Sequence, residues 1–368
     1  MTTAAHAIAP ARVLRGEGAW AEALDLIPAL SRRPLVLGRS QATAALRHEL
    51  AVQLQTAGLQ SEPALLRSDC CEEDLDPLTE QAAAGAVDAV IAVGGGKVLD
   101  GGKLLADRLQ LPCITVPTSA ATCAGWTALA NVYSPEGAFR YDVALSRCPE
   151  LLVFDHALVR QAPPRTLASG IADAMAKWYE ASVSSAGSSD GLIQQAVQMA
   201  RVLRDQLLLD AESAMADPSA EAWSRVAEAC GLSAGLIGGI GGARCRTVAA
   251  HAVHNGLTQL SACHHQLHGE KVGFGILVQL RLEEVLGGSQ LAAQARRQLL
   301  PFLGALGLPL TLADLGLAQA SLADLQQVCD FACRPGSDLH HLPFAVSSAD
   351  LLAALVSTTA GQLSEATV

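Results

Sequence analysis

Basic charge is scarce in this chain. Its 25 Lys and Arg residues are outnumbered by 36 Asp and Glu residues, which gives a formal net charge of -11 over 368 residues. Nucleic acids and anionic membranes are bound by clustered Lys and Arg side chains, so this composition disfavours both as partners. A small molecule is the partner that the composition favours.

Long apolar runs are absent as well. The hydrophobic stretches are short or are broken by glycine and charge, and residues 1–15 do not combine a basic leader with a continuous apolar segment. The sequence therefore predicts a protein of the cytoplasm, with no segment that spans or targets a membrane.

The ten cysteines include no C-x-x-C pair. They are scattered through a long chain, whereas disulfide frameworks are typical of small secreted proteins, so we expect reduced thiols. Cys329 and Cys333 are four residues apart, which predicts two buried positions on one helical face rather than part of a zinc site.

The chain is long and apolar enough, with 50% hydrophobic residues, for a large core and two domains. Its first part alternates strand-like with helical segments, which is typical of a parallel α/β domain. These segments are residues 35–38, 41–57, 87–93, 97–109 and 113–117.

The pattern changes after Pro163 and Pro164 to long Ala- and Leu-rich segments at helical spacing, with residues 335–343 as a loop between late helices. We therefore predict an α/β nucleotide-binding domain over residues 1–162 and an all-α metal-binding domain over residues 163–368.

A glycine triplet, Gly94, Gly95 and Gly96, directly follows the strand-like run at 87–93 and precedes a helical segment starting at Lys97. Glycines let the backbone approach a pyrophosphate closely, and the first N–H groups of the next helix can bind its charge. Because the triplet is neither G-x-G-x-x-G nor a P-loop, a tight turn without a ligand is the alternative.

Five of the ten histidines lie in one short stretch of the helical part: His251, His254, His264, His265 and His268. His251 and His254 are three residues apart and share a helical face, and His268 could return to that face across a loop. Histidine with a carboxylate favours zinc, Fe(II) or another first-row ion, and Asp173 is the candidate carboxylate. His264 and His265 are interpreted as surface or core residues instead.

Five motifs in this order resemble the glycerol dehydrogenases, and the likeness extends from about Arg12 to about Thr359. The motifs are residues 94–100, 115–118, the Asp173 segment, 251–256 and 268–271. The resemblance places the chain in a wider group with the iron-dependent alcohol dehydrogenases and the dehydroquinate synthases. It implies the dehydroquinate synthase-like fold, a nicotinamide coenzyme (NAD or NADP), a small alcohol, polyol or hydroxyacid as substrate, and a homo-oligomer.

The resemblance also implies the site residues. Asp173, His251 and His268 match the three metal ligands, and Lys177 stands where the iron-dependent branch has a further histidine, which favours zinc over iron. The glycine turn matches the pyrophosphate site and later positions match the nicotinamide half. The full set of matched coenzyme positions is Gly94, Gly95, Gly96, Lys97, Asp100, Thr115, Thr118, Thr127, Leu129 and Tyr133.

Such a zinc ion would lower the pKa of the substrate hydroxyl, so that hydride can leave the same carbon for the nicotinamide. His254 lies one turn from a ligand and could relay the released proton. The alternative is a neutral histidine hydrogen-bonded to its neighbour.

Three departures bear on the substrate and the coenzyme. Cys123 stands where the family has its glycerol-contacting aspartate, and a thiol is a poor acceptor for a substrate hydroxyl. Arg244 and Arg246 precede the first metal histidine and suggest an acidic or phosphorylated substrate, unless they point to solvent. Arg39, where an acidic residue commonly holds the adenosine ribose, predicts NADP use at least comparable to NAD.

Two other functions remain open at this point. A dehydroquinate synthase-type lyase would use the same fold and metal, and a non-catalytic relative would only bind the coenzyme. The form of the glycine motif argues against the lyase. The intact set of Asp173, His251 and His268 argues against the second.

Overall fold

The computed structural model describes residues 6–360, and these form two compact units. The first unit holds the described residues up to Pro163 together with Gly231–Gly239, and the second holds Pro164–Cys230 and the described residues from Ile240 onward. The predicted fold class, an α/β domain followed by a helical one, is confirmed.

The first unit is built on a parallel sheet. Its strands are β1 (Val13–Gly16), β2 (Pro34–Gly38), β3 (Glu62–Leu65), β4 (Ala89–Gly94), β5 (Cys113–Pro117), β6 (Leu129–Tyr133), β7 (Phe139–Ala144) and β8 (Leu151–Asp155). Six of them form the sheet in the order β1-β8-β5-β4-β2-β3, with every neighbouring pair parallel, and β6 and β7 form a separate antiparallel hairpin. Its helices are α1 (Ala19–Leu30), α2 (Ala44–Thr56), α3 (Glu72–Ala84), α4 (Gly96–Leu109) and α5 (His156–Val159).

Every residue of β2, β4, β5 and β8 is buried. Strands covered on both faces are expected to be continuously apolar, and alternate residues of β4 enter two separate cores. Val90 and Ala92 belong to one core and Ile91 and Val93 to the other. The sheet is thus the middle layer of the unit.

The sequence analysis located β2, α2, β4, α4 and β5, but not the remaining strands and helices of this unit. The missed strands are four to six residues long, β3 contains Pro63, and β7 is largely exposed. Strands this short carry little periodic signal. β8 is the exception, because its apolar run at residues 151–154 is a strand signal that the sequence analysis did not use.

The second unit contains no strand among its described residues. Helices α6 to α14 are Pro164–Ser185, Gly191–Ala216, Glu221–Glu228, Ala234–Gly241, Ala249–Leu257, His268–Val285, Gln290–Ala305, Leu322–Ala332 and Ser348–Ala360, in that order. Between α13 and α14 runs the predicted loop, which includes one short 3-10 turn, Asp338–His341.

Helix α11 packs closely on its neighbours because it carries glycines at the contacts. A Cβ on Gly269 would overlap the backbone of Ser169 on α6, and one on Gly275 would overlap the carbonyl oxygen of Ala250 on α10. Glycine is the residue that allows such close backbone approach. These contacts bring the start of α11 next to both α6 and α10.

Residues 231–239, within and just before α9, cluster with the first unit although they lie far along the chain. A Cβ on Gly231 would overlap the Phe154 ring, and one on Gly235 would lie 2.5 Å from the Trp126 Cβ. The sequence analysis predicts one domain boundary near residue 162, so it does not place residues 231–239 with the first unit. That placement depends on tertiary contacts of small residues.

Within residues 6–360, no helix combines the length and the apolar character needed to cross a bilayer. None of the ten cysteines, all of which lie in the described part of the chain, forms a disulfide, and nine are buried while Cys333 is partly exposed.

Candidate active site

The glycine triplet forms the turn between β4 and α4. Gly94 is required by the fold, because a Cβ there would lie 2.7 Å from the Cβ of Val98. Gly95 is not, since its φ of -83° suits any residue and a Cβ there would meet nothing closer than the Ser119 hydroxyl at 3.8 Å. The N-cap residue of α4 is Gly95, which makes no side-chain hydrogen bond to the first N–H groups of the helix. The turn therefore offers open space and helix N–H donors, which is what a pyrophosphate needs.

Lys97 and Tyr133 lie together beside this turn. The Lys97 ammonium is paired with the buried carboxylate of Asp69 and lies 5.8 Å from the centre of the Tyr133 ring. Asp69 was missed by the sequence analysis because it lies outside every motif. The Lys97 side chain is about half exposed, so the pair stands at the surface of the unit.

Asp100, Thr127 and Leu129 meet around a second lysine that sequence reasoning missed. Lys103 is 2% exposed, and its ammonium lies 3.0 Å from Asp100 Oδ1 and donates to the Thr127 carbonyl and hydroxyl oxygens at 3.0 and 3.1 Å. It also donates to the Leu129 carbonyl. This network holds the start of β6 in place. Contact of these residues with a coenzyme stays a prediction.

The remaining predicted coenzyme positions are Thr115, in β5, and Thr118, just after the end of that strand. The buried Thr115 hydroxyl donates to the Gly125 carbonyl at 2.8 Å, and the Thr118 N–H donates to the Gly94 carbonyl at 3.0 Å. Cys123 is 8% exposed, in the loop that follows Thr118. The loop is thereby tied to the end of β4.

Arg39 is exposed just after β2, at the same sheet edge as the glycine turn, because Leu37 pairs in parallel with Ala92. The next residue, Ser40, is held in place by a residue that sequence reasoning missed. Arg47 of α2 donates to the Ser40 carbonyl oxygen at 2.9 Å.

In the second unit, Asp173 of α6, His251 of α10 and His268 of α11 converge. One candidate ligand atom from each lies within 4.8 Å of the others. Asp173 Oδ1 is 3.3 Å from His251 Nε2 and 3.6 Å from His268 Nε2. Ligands about 2.1 Å from a tetrahedral zinc ion are ~3.4 Å apart, so both distances suit a shared ion.

Asp173 Oδ1 is also buried, with no hydrogen-bond donor among residues 6–360. Burial acts to raise the pKa of this carboxyl, but the Lys177 charge and the two histidines outweigh burial and hold the pKa well below its usual range. A buried, ionised and unsatisfied oxygen between two imidazole nitrogens fits a metal cation.

Glu180, one heptad after Asp173 on α6, orients His251. Its Oε2 lies 2.7 Å from His251 Nδ1, and its Oε1 accepts from the N–H groups of Val248 and His251 at 2.7 and 3.0 Å. A proton on Nδ1 leaves the Nε2 lone pair facing Asp173, which is the usual support for a histidine ligand. The sequence signal for this role is a carboxylate seven residues after Asp173, which the sequence analysis did not interpret.

Lys177 lies on the same face of α6. Its ammonium is 3.7 Å from Asp173 Oδ1 and donates to the Arg246 carbonyl oxygen at 3.4 Å. It is 2% exposed. A permanent donor therefore stands beside the ligand cluster at the position of the iron-branch histidine.

His254 is buried beside His268, with ring centres 4.2 Å apart. Its Nδ1 lies 2.9 Å from Asn255 Oδ1, so the hydrogen bond to a neighbour is present. Burial and the nearby His268 and Lys271 charges hold the pKa of His254 well below its usual range. The proton-relay role stays a prediction.

The other predicted residues lie around this cluster. Arg244 is exposed, and Arg246 is partly buried with an Nε that has no hydrogen-bond partner among the described residues. His264 Nε2 donates to the Thr258 carbonyl oxygen at 2.9 Å, and His265 is exposed. Neither of these histidines belongs to the ligand cluster found among the described residues.

Comparison with known proteins gives one family. Residues 10–156 match the family model described as iron-containing alcohol dehydrogenase. An uncharacterized oxidoreductase of Synechocystis is 54% identical over 96% of this chain and 91% of its own length, and the hydroxycarboxylate dehydrogenase A of Escherichia coli is 37% identical over 79% and 80%. The crystal structure of a probable glycerol dehydrogenase from Sinorhizobium meliloti superposes with a TM-score of 0.87, at 29% identity over 98% of this chain and all of that one.

A parallel-sheet unit with an open glycine turn and a helical unit with a three-ligand cluster define a metal-dependent, nucleotide-linked dehydrogenase. The chain belongs to the iron-containing alcohol dehydrogenase family, within the group that includes the glycerol dehydrogenases. It is a metal-dependent NAD(P) oxidoreductase that acts on a small-molecule alcohol. The relatives are named as dehydrogenases or oxidoreductases, which removes the support for a lyase or a non-catalytic protein.

Proposed function

We propose that this protein is a zinc-dependent dehydrogenase that oxidises the CH–OH group of a small alcohol, polyol or hydroxyacid, with Asp173, His251 and His268 as the metal ligands. The observation that carries the proposal is Asp173 Oδ1, which is buried without a donor in the described part of the chain and lies 3.3 and 3.6 Å from two imidazole Nε2 atoms. Zinc is supported over iron because the next candidate position is Lys177, whose ammonium has no lone pair to donate.

A divalent metal at this cluster would supply a Lewis acid that lowers the pKa of the substrate hydroxyl. The protein's own groups do the rest. Glu180 fixes the tautomer and orientation of His251, and the glycines of α11 hold His268 against α6. His254 remains our candidate for a proton relay, with its bond to Asn255 as the alternative.

We further propose that the coenzyme pyrophosphate binds at the turn of Gly94, Gly95 and Gly96. Gly95 carries this argument, since neither its backbone angles nor its neighbours require glycine. A ligand close to the backbone accounts for the missing side chain. Arg39 and Ser40 at the same sheet edge support binding of a 2′-phosphate, so we propose NADP use at least comparable to NAD.

The relatives carry two kinds of name, and this chain differs from the glycerol enzymes at Cys123. The Sinorhizobium relative is called a probable glycerol dehydrogenase and the Escherichia relative a hydroxycarboxylate dehydrogenase. A buried thiol replaces an aspartate that would accept from a substrate hydroxyl, which supports a substrate other than glycerol. We also propose a homo-oligomer in the cytoplasm, as the resemblance and the composition predict.

The test is an initial-rate panel with zinc-loaded protein, crossing NAD and NADP with glycerol, 1,2-propanediol, lactate and simple alcohols. Asp173→Ala and His268→Ala are the site variants, and His265→Ala, an exposed histidine outside the cluster, is the matched control.

We expect coenzyme reduction that a chelator abolishes and zinc restores, loss of zinc and of activity in both site variants, and neither loss in His265→Ala. Activity that survives full metal removal, or zinc binding unchanged by Asp173→Ala, would refute the assignment of the ligands.

A further inference from the structure

Lys177 is a buried cation next to the metal ligands. Asp173, Lys177 and Glu180 are spaced by four and three residues on α6, so they share one face of the helix. The Lys177 ammonium is 3.7 Å from the ligand atom Asp173 Oδ1, and its side chain is 3% exposed.

This charge does not serve the metal. An ammonium close to a divalent cation repels it, and burying an ammonium has a free-energy cost of its own. The charged groups on this face of α6, the Asp173 and Glu180 carboxylates and the Lys177 ammonium, sum to one negative charge, which a divalent metal turns into one positive charge. The charges of Lys271 and Asp338, which also act on the histidines of the cluster, are of opposite sign and offset each other in this count. With a neutral residue at 177 the same site would be neutral.

A substrate can provide the missing negative charge. A neutral polyol leaves the site positive, whereas a carboxylate next to the reacting hydroxyl neutralises it. Reach is sufficient, because an ion about 2.1 Å from Asp173 Oδ1 lies no farther than about 6 Å from the Lys177 ammonium. The hydroxyl and the adjacent carboxylate of one small acid can span that interval.

We propose that Lys177 is a specificity-determining residue that selects small 2-hydroxy acids, and in the reverse direction 2-oxo acids, by pairing with the substrate carboxylate. This inference rests on the proposed function. In the oxidation, the C–H bond at the carbinol carbon breaks and its electron pair leaves as hydride to NAD(P)⁺. The hydroxyl proton goes to solvent, and a C=O bond forms.

Arg246, in the loop before α10, contacts Lys177 through its backbone. Its carbonyl accepts from Lys177 at 3.4 Å, which ties this loop to α6. Arg244, by contrast, is exposed. The cation within 3.7 Å of Asp173 Oδ1 is thus the lysine of the helix, and substrate contact by the two arginines stays a prediction.

The experiment compares lactate with 1,2-propanediol, which differ in having a carboxylate or a CH₂OH group beside the same carbinol carbon. The variants are Lys177→Gln and Lys177→Arg, and the control is Arg201→Gln, which removes an exposed cation of α7. We expect the ratio of kcat/KM for lactate to that for the diol to fall at least about tenfold in Lys177→Gln, chiefly through KM for lactate. Lys177→Arg should recover part of the ratio, and Arg201→Gln should leave it unchanged.

A binding measurement separates selection from a structural role. Calorimetric titration of zinc-loaded protein with saturating NAD(P)⁺ uses 2-hydroxy-2-methylpropanoate and its neutral amide, neither of which has a C–H bond to oxidise at the carbinol carbon. The intact protein should bind the acid at least about tenfold more tightly than the amide, and Lys177→Gln should remove that difference.

Equal weakening of acid and amide in Lys177→Gln, at unchanged zinc content and circular dichroism, would overturn the proposal. So would an intact protein that oxidises the diol but shows no preference for lactate, and in that case the dehydrogenase assignment would stand. If neither substrate is oxidised in a metal-dependent reaction, both the selection by Lys177 and the dehydrogenase assignment are wrong.

Discussion

His251 illustrates, at the scale of single residues, how a ligand depends on its neighbours. Its Nδ1 is bonded to Glu180, and Glu180 also holds the backbone at the start of α10 through Val248. One carboxylate therefore sets the tautomer, the ring orientation and the local backbone.

Glu180→Gln should weaken zinc binding by about 10- to 100-fold, because an amide no longer fixes the proton on Nδ1 or strengthens the ligand. Competition with a chromogenic chelator measures the zinc affinity directly. Glu212→Gln, at an exposed position of α7, is the control. Equal zinc affinity in the two variants would contradict the role of Glu180.

Arg39→Ala should raise KM for NADPH by roughly tenfold and leave KM for NADH within about twofold, because the guanidinium would lose a charge-assisted bond only to the 2′-phosphate. Initial rates of reduction with each coenzyme provide the measurement, and Arg32→Ala, another exposed arginine of the same unit, is the control. A strong preference of the intact protein for NADH over NADPH would make the NADP proposal wrong.

The helices, at the next scale, bring the ligands together through their packing. Asp173, His251 and His268 lie on three different helices, and α11 is close to the other two because of Gly269, Gly273 and Gly275. A side chain at Gly269 or Gly275 has to displace backbone, and one at Gly273 would lie 3.1 Å from the Ala172 Cβ. The geometry of the cluster is therefore a property of helix packing as much as of the ligands themselves.

Gly275→Ala should destabilise the protein by about 1–3 kcal/mol and also weaken zinc binding. The added methyl group overlaps the carbonyl oxygen of Ala250, so α10 has to shift together with His251. Urea unfolding and chelator competition measure the two effects. In the control Gly304→Ala on α12, the methyl group meets nothing closer than Leu310 Cδ1 at 3.4 Å, and both quantities should stay near their original values.

Gly95→Ala tests the other unit at the same scale. The fold has room for the methyl group, so the unfolding free energy should hold within about 0.5 kcal/mol. The same methyl group occupies the space assigned to the pyrophosphate, so the dissociation constant for NAD(P)⁺ should rise at least about tenfold by fluorescence titration. An unchanged constant would place the pyrophosphate elsewhere.

At the scale of the whole molecule, stability depends in part on Glu283, a partly buried acid in the last turn of α11. Burial raises the pKa of this carboxyl to about 7, although Gln279 donates to it at 3.0 Å. The folded protein thus holds a proton that the unfolded chain releases at lower pH. The contribution to stability is complete below the ordinary pKa of a glutamate and is lost as the pH rises through 7.

The unfolding free energy should accordingly fall between pH 5 and pH 8 by up to about 3 kcal/mol from this group, at 1.36 kcal/mol per unit of pKa shift. Glu283→Gln keeps an acceptor for Gln279 and should remove that part of the decline, which makes the variant the more stable protein at pH 8. Urea denaturation at both pH values measures it. If the unfolding free energy falls equally with pH in Glu283→Gln and Glu212→Gln, Glu283 is not the source of the pH dependence.

The sequence by itself determined the fold class, the glycine turn, the three candidate ligands and the family. Continuous apolar strands followed by helical periodicity are local patterns, and Asp173, His251 and His268 stand in contiguous motifs. The tertiary structure alone decided the roles of Glu180, Lys177, Lys103 and Arg47, the return of residues 231–239 to the first unit, and the exposure of Arg244. These depend on which side chains meet across different helices and strands. A one-dimensional pattern does not specify such contacts, because they arise from packing between segments far apart in the chain.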